Sequence, residues 1–207
     1  MNSPIRRLGV LGGAFDPPHL AHQALAQAAI TQLNLDELRV LPTGQAWHKT
    51  RMLSPAVHRL AMTRLAFADL LQTVVDEREI HRAGPTYTVD TLRELQTEHP
   101  DVELFLVLGQ DQARAFNTWH EFETISQIAI ICVASRDALK SDEVAPSTQN
   151  PSSSGAMPAH FHSLKMPNMP LSASLIRARI ADLQDITPLV SQPVARYIAH
   201  HHLYEIT

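Results

Sequence analysis

Apolar residues in this chain fall into short runs of three to seven, and between those runs the apolar spacing widens to the three-and-four pattern of a helix. Residues 8–11 (Leu-Gly-Val-Leu), 37–42, 73–75, 102–108 and 128–134 read as strands. The 102–108 run is almost continuously apolar, as a parallel strand covered on both faces requires. Residues 23–30, 54–71, 88–98, 112–116, 121–126 and 193–203 read as helices. The second of these is opened by Ser54-Pro55, with Val57, Leu60, Ala61, Leu65 and Ala68 as its apolar face. Residues 160–166 add a short last strand. Strand and helix alternate throughout, which predicts a doubly wound, mostly parallel α/β sheet with a C-terminal helical segment and ligands at the carboxyl ends of the strands.

At 207 residues the chain reads as one domain, 1–207. Its composition shifts between Arg136 and Pro170: five of the 14 prolines lie from Pro146 to Pro170 amid Ser and Asn, so 136–170 is read as a flexible insertion. A formal charge of −4 offers no basic footprint, which argues against nucleic acid as a partner and makes any anion site a local one. Cys132, the single cysteine, sits in an apolar run and reads as a core residue; a disulfide framework or thiolate metal cluster within one chain is excluded. Arg6-Arg7 is followed by too few apolar residues for a signal-peptide core, and no stretch approaches the roughly 20 apolar residues of a membrane span. A soluble, cytoplasmic protein without membrane partners is expected, with self-association left open.

The chemistry concentrates in Gly12-Gly13-Ala14-Phe15-Asp16-Pro17-Pro18-His19-Leu20-Ala21-His22. Two glycines after a strand allow a sharp turn and close approach of a ligand to backbone. Asp16 is placed as a helix N-cap with Pro17 at the first helical position. His19 and His22, three apart, then share one face near the positive helix end, where anions are favoured and two imidazoles can donate to a phosphate gaining charge. A rival reading makes Asp16, His19 and His22 ligands of a hydrolytic metal. Near the other end of the chain Ser172 is placed as an N-cap, and Arg177 projects from the same helix within reach of a phosphate at its start.

The first of these stretches resembles the GGxFDPxHxGH signature of the HxGH nucleotidyltransferase superfamily, and Ser172-Ala173-Ser174-Leu175-Ile176-Arg177 resembles its ISxTxxR signature. Between them, Thr86-Tyr87-Thr88, Leu108-Gly109-Gln110-Asp111 and Thr118-Trp119-His120-Glu121-Phe122 are similar to segments of the nicotinate-nucleotide adenylyltransferases in that superfamily. The resemblance covers 8–135 and 160–205. It implies a Rossmann-like nucleotidyltransferase fold and direct in-line attack of nicotinate mononucleotide on the α-phosphorus of ATP, with Mg²⁺ carried on the ATP phosphates. Catalysis is then positioning and charge stabilisation, with His19, His22, Arg177 and Lys49 acting on the phosphates. Gly12, Gly13, Ala14, Phe15, Gly109, Asp111 and Ser172 complete the ATP site, and Thr86, Tyr87, Thr88, Trp119 and His120 take the pyridine nucleotide. Trp119 is also readable as a core aromatic.

Two departures from the pattern stand out: Ala21 where the superfamily usually has glycine, and Trp47 where proline usually precedes His48-Lys49. The alternatives are a sister adenylyltransferase using nicotinamide mononucleotide or pantetheine phosphate, and a non-catalytic nucleotide-binding regulator. The run His200-His201-His202 is read as native and exposed.

Overall fold

A computed structural model describes residues 5–44, 52–135 and 161–205. Six parallel strands, β1 (Arg7–Gly13), β2 (Glu37–Pro42), β3 (Thr73–Val75), β4 (Glu103–Leu108), β5 (Ala129–Ser135) and β6 (Phe161–Lys165), form one sheet in the order β3-β2-β1-β4-β5-β6. The helices are α1 (Leu20–Leu33), α2 (Ala56–Phe67), α3 (Arg78–His81), α4 (Thr88–Glu98), α5 (Gln110–Arg114), α6 (Phe122–Ile128), α7 (Ala173–Ala181) and α8 (Gln192–His200). This is the doubly wound arrangement expected from the alternation. The short helix α3 was not foreseen, because four residues are too few to show a period.

Period-two alternation sorts the strand side chains onto two faces. Leu11, Val40, Phe105, Val107, Cys132 and Ala134 join one core with α1, α2, α7 and α8. Leu8, Val10, Leu104, Leu106, Leu108, Ile131 and Val133 join the other with α4, α5 and α6. Cys132 is fully buried, and burial pushes its thiol up to about 12, so it is an inert core residue.

The structure corrects two local expectations. Helix α1 begins at Leu20, and its N-cap is His19, in an extended conformation (φ −142°, ψ 171°), not Asp16. The Asp16 carboxylate is committed elsewhere: it accepts from the Tyr204 hydroxyl at 2.7 Å and from the Ser54 N–H at 3.2 Å, a tertiary tie in place of a cap. In α2 the buried face is Arg59, Met62, Thr63, Ala66 and Phe67, while Val57 is 66% exposed. The face is rotated because the Arg59 guanidinium is drawn inward onto backbone carbonyls, donating to Ser54, Ala14, Thr43 and Gly44. In contrast, Ser172 caps α7 as expected, accepting from the Leu175 N–H at 3.1 Å. Of the residues read as an insertion, 136–160 lie outside the described residues, and 161–165 form β6 on the sheet edge.

Candidate active site

Strand β1 pairs with β2 on one side and β4 on the other, so the chain's crossovers diverge from it and a crevice opens beyond the carboxyl ends of β1 and β4. Two cavities occupy that crevice, one of about 660 Å³ and one of about 620 Å³. Gly12, Gly13, Ala14, Asp111 and Gln112 line both, so the turn after β1 is the wall the two cavities share. Gly13 is required there for a steric reason. A Cβ on it would lie 2.9 Å from the ring of Phe15, which is itself buried in a left-handed backbone conformation (φ 46°).

The first cavity also takes Phe15 and His19 from the loop into α1, Ala21 and His22 from its first turn, Gly109 from the end of β4, and Ser172 and Arg177 from α7. The N-termini of α1 and α7 therefore both open onto it, giving two sets of backbone donors and two positive dipole ends on one volume. The rings of His19 and His22 are stacked, with centroids 3.7 Å apart. His22 Nδ1 accepts the backbone N–H of His19 at 3.1 Å, which places the proton of the neutral ring on Nε2 as a donor. His19 is only 7% exposed, its Nδ1 has no hydrogen-bond partner among the described residues, and burial lowers its pKa to about 4. At neutral pH this ring is an uncharged donor. Arg177 donates to the carbonyl of Asp16 at 2.6 Å and to Ser174 Oγ at 3.0 Å, which ties α7 to the loop leading into α1.

The His19 shift has a consequence for stability. The unfolded chain protonates this ring near pH 6.5 and the folded chain near 4, so between those values the unfolded state binds more protons. Stability then falls as pH drops from about 6.5 to 4, by about 3 kcal/mol from this ring. Urea unfolding at pH 4.5 and 7 should show a smaller acid loss in His19→Asn than in the wild type; equal losses would contradict the assignment.

The second cavity is bounded by Thr86, Tyr87 and Thr88 at the start of α4, by Trp119 and His120 after α5, and by Thr43 and Glu79. Trp119 is half-buried and packs at 5.6 Å against the core ring of Phe116 while also lining the cavity. Tyr87 and His120 face each other with ring centroids 4.3 Å apart. The turn carrying Trp119 and His120 is tethered to α4 by Arg93, which donates to both carboxylate oxygens of Glu121 at 3.3 and 2.6 Å.

A family model described as "Cytidylyltransferase-like" matches residues 10–179. The "Probable nicotinate-nucleotide adenylyltransferase" of Albidiferax ferrireducens is 55% identical over 204 residues, covering 97% of this chain and 99% of that protein. The protein of the same name from Methylibium petroleiphilum is 43% identical over 206 residues, covering 98% and 94%. This chain belongs to the nicotinate-nucleotide adenylyltransferase family. The fold agrees with solved members. The solved structure of the Plasmodium falciparum nicotinic acid mononucleotide adenylyltransferase complexed with NaAD superposes with a TM-score of 0.74 at 21% identity over 96% of this chain and 97% of that one. The same protein complexed with APC gives 0.73 at 21% identity, over 96% and 97%.

In this nicotinate-nucleotide adenylyltransferase family member, the residues singled out in the sequence line one or both of the two cavities, except Lys49. It lies, with Trp47 and His48, outside the described residues. Asp111 stands exposed at the shared rim, within 3.6 Å of Arg114. Ala21 lines the first cavity. Among the described residues no three His, Cys, Asp or Glu side chains converge as metal ligands, and the Asp16 carboxylate is occupied by Tyr204 and Ser54.

Sequence reasoning missed four contributors. Gln112 accepts the Gly109 N–H at 3.3 Å and reaches the Gly12 carbonyl at 3.5 Å, bridging the ends of β4 and β1. Arg59 and Glu79 are buried behind the site, where burial pushes the Glu79 carboxyl above its usual range, and Tyr204 reaches the site from beyond the end of α8. A charged residue inside an otherwise apolar helical face was the available signal for Arg59; the others had none.

Proposed function

We propose that this chain transfers the adenylyl group of ATP to nicotinate mononucleotide, giving nicotinate adenine dinucleotide and pyrophosphate. The observation that carries this reading is the pair of cavities meeting at the Gly12–Ala14 turn: one flanked by two helix N-termini, two imidazoles and an arginine, the other by aromatic rings and threonines. ATP in the first and the pyridine nucleotide in the second would bring the acceptor phosphate and the α-phosphorus together at the shared wall. A phosphate oxygen of the acceptor forms the new bond to the α-phosphorus as the bond to the β-phosphate oxygen breaks. The electron pair leaves with pyrophosphate.

No protein nucleophile is required. Holding two reactants in line supplies effective molarities of about 10⁵–10⁸ M. His22 Nε2–H and the uncharged His19 donate to the charge that builds on the phosphates, and Arg177 neutralises the leaving pyrophosphate. Nucleotidyltransferases of this kind use a divalent metal with ATP. Here Mg²⁺ fits as an ion held mainly by the triphosphate, because the protein offers Asp111 at the rim and no cage of carboxylates among the described residues. When bound, it offsets phosphate charge. Thr86, Tyr87 and Thr88, at the start of α4, present backbone and hydroxyl donors suited to a ring carboxylate.

Pyrophosphate release from ATP by the purified chain, with nicotinate and nicotinamide mononucleotides supplied in parallel, tests this reading. The acid should be used at least about tenfold better in kcat/KM, since a site that matches a substrate's polar groups rejects an analogue lacking them. Equal rates would overturn the acid preference. Binding of ATP with no turnover of either nucleotide would overturn the transferase reading and point to Ala21 as a block.

A further inference from the structure

Glu79 is 6% exposed and takes no part in the transfer just described, yet it lines the second cavity. Its carboxylate accepts from two hydroxyls: Thr43, at the end of β2, at 3.1 Å, and Thr91, inside α4, at 3.0 Å. Thr91 in turn accepts from the Arg82 guanidinium at 3.2 Å, so a chain of hydrogen bonds runs from Arg82 through Thr91 and Glu79 to Thr43 on the cavity wall. The backbone is drawn together at the same place. The Thr86 hydroxyl reaches the Glu79 carbonyl at 3.5 Å, and a Cβ on Gly44 would lie 2.0 Å from that carbonyl oxygen and 3.0 Å from Thr86 Oγ1. The end of β2, α3 and the Thr86–Thr88 turn are therefore one close-packed unit with the Glu79 carboxylate at its centre.

We propose that Glu79 is a positioning residue for the acceptor: by holding Thr43 and Thr91 at once, it fixes the distance between β2 and the start of α4, and so the width of the second cavity. Its effect falls on the pyridine nucleotide and not on ATP, because none of Thr43, Glu79 and Thr86 lines the first cavity. This rests on the assignment of the second cavity to the acceptor. Thr91 gives a clean handle on the idea. It is fully buried and lines neither cavity, so it touches no substrate, and its hydrogen-bonded link to the cavity wall runs through Glu79.

Steady-state kinetics with ATP and nicotinate mononucleotide each varied test this for Glu79→Ala, Glu79→Gln and Thr91→Val, with thermal melts to follow folding. Glu79→Ala should raise KM for the mononucleotide about tenfold or more, the factor expected when buried hydroxyls lose their acceptor, while KM for ATP stays within about twofold. Glu79→Gln can accept from one threonine and donate to the other, so it should restore most of the loss. Thr91→Val should raise the same KM a few-fold, and its effect should not add to that of Glu79→Ala. If Glu79→Ala does not fold, the other two variants carry the test. Parallel changes in both KM values, or lowered melting temperatures with an unchanged acceptor KM, would overturn the proposal while wild-type turnover keeps the transferase reading. A wild type that turns over no pyridine mononucleotide would overturn both.

Discussion

Replacing His22 by alanine is expected to lower kcat for adenylyl transfer by about 10²- to 10³-fold, the usual cost of one donor aimed at charge developing in a transition state. The side chain has two separable roles. Nδ1 accepts the His19 N–H and closes the first turn of α1, while Nε2–H is the donor to phosphate. Alanine removes both and should also cost about 1 kcal/mol of stability, as a lost cap does. Asparagine places a carbonyl oxygen near the Nδ1 position, so His22→Asn should recover the stability without recovering kcat. Rapid-quench measurement of the first turnover, beside urea titration, separates the two. A His22→Asn protein with wild-type kcat would remove the donor role.

Arg59→Met should destabilise the fold more than any of the other substitutions, by about 3–5 kcal/mol. The guanidinium is 3% exposed and donates to four carbonyls, Thr43 at 2.7 Å, Ser54 at 2.9 Å, Ala14 at 3.1 Å and Gly44 at 3.4 Å. Those carbonyls belong to the turn after β1, the end of β2 and the segment before α2, so one side chain ties together three segments that meet behind the site. Burial lowers its pKa from the usual arginine value, but that value is so high that the group stays charged. Methionine fills comparable volume and leaves the carbonyls without their donor. For a chain of this size the loss corresponds to a melting temperature lower by roughly 10–15 °C. Lysine should rescue little, because a single ammonium cannot reproduce the planar fork. A melting temperature within about 2 °C of wild type in Arg59→Met would show that the carbonyls find other partners at little cost.

Helix α1 shows where local reading succeeds and where it stops. The glycine turn, the helix that follows and the shared face of His19 and His22 were all legible, because each is a matter of spacing within about one turn. The position of the N-cap was not. Asp16 has the right chemistry for a cap, and residues 38 and 188 positions away claimed its carboxylate instead. Helix α2 gave the same lesson: its apolar residues suggested a face through Val57, and the structure turned that residue outward to seat Arg59. For α7 no tertiary competitor engages the cap among the described residues, and Ser172 stands as read.

The amino-acid sequence by itself determined the alternation of strand and helix, hence a parallel doubly wound sheet, and it marked both ends of the first cavity. It could do so because strand and helix periods arise from backbone geometry over two to four residues, and the two end motifs are contiguous. The tertiary structure alone decided that two cavities share the wall after β1, that Arg59 and Glu79 are buried beside it, and that Tyr204 ties the Asp16 loop from the far end of the chain. The reason is that these ties join residues whose separation in sequence carries no period: Arg177 to Asp16 spans 161 positions, and Thr43 to Glu79 spans 36. Only the packing of the sheet brings them within hydrogen-bond distance.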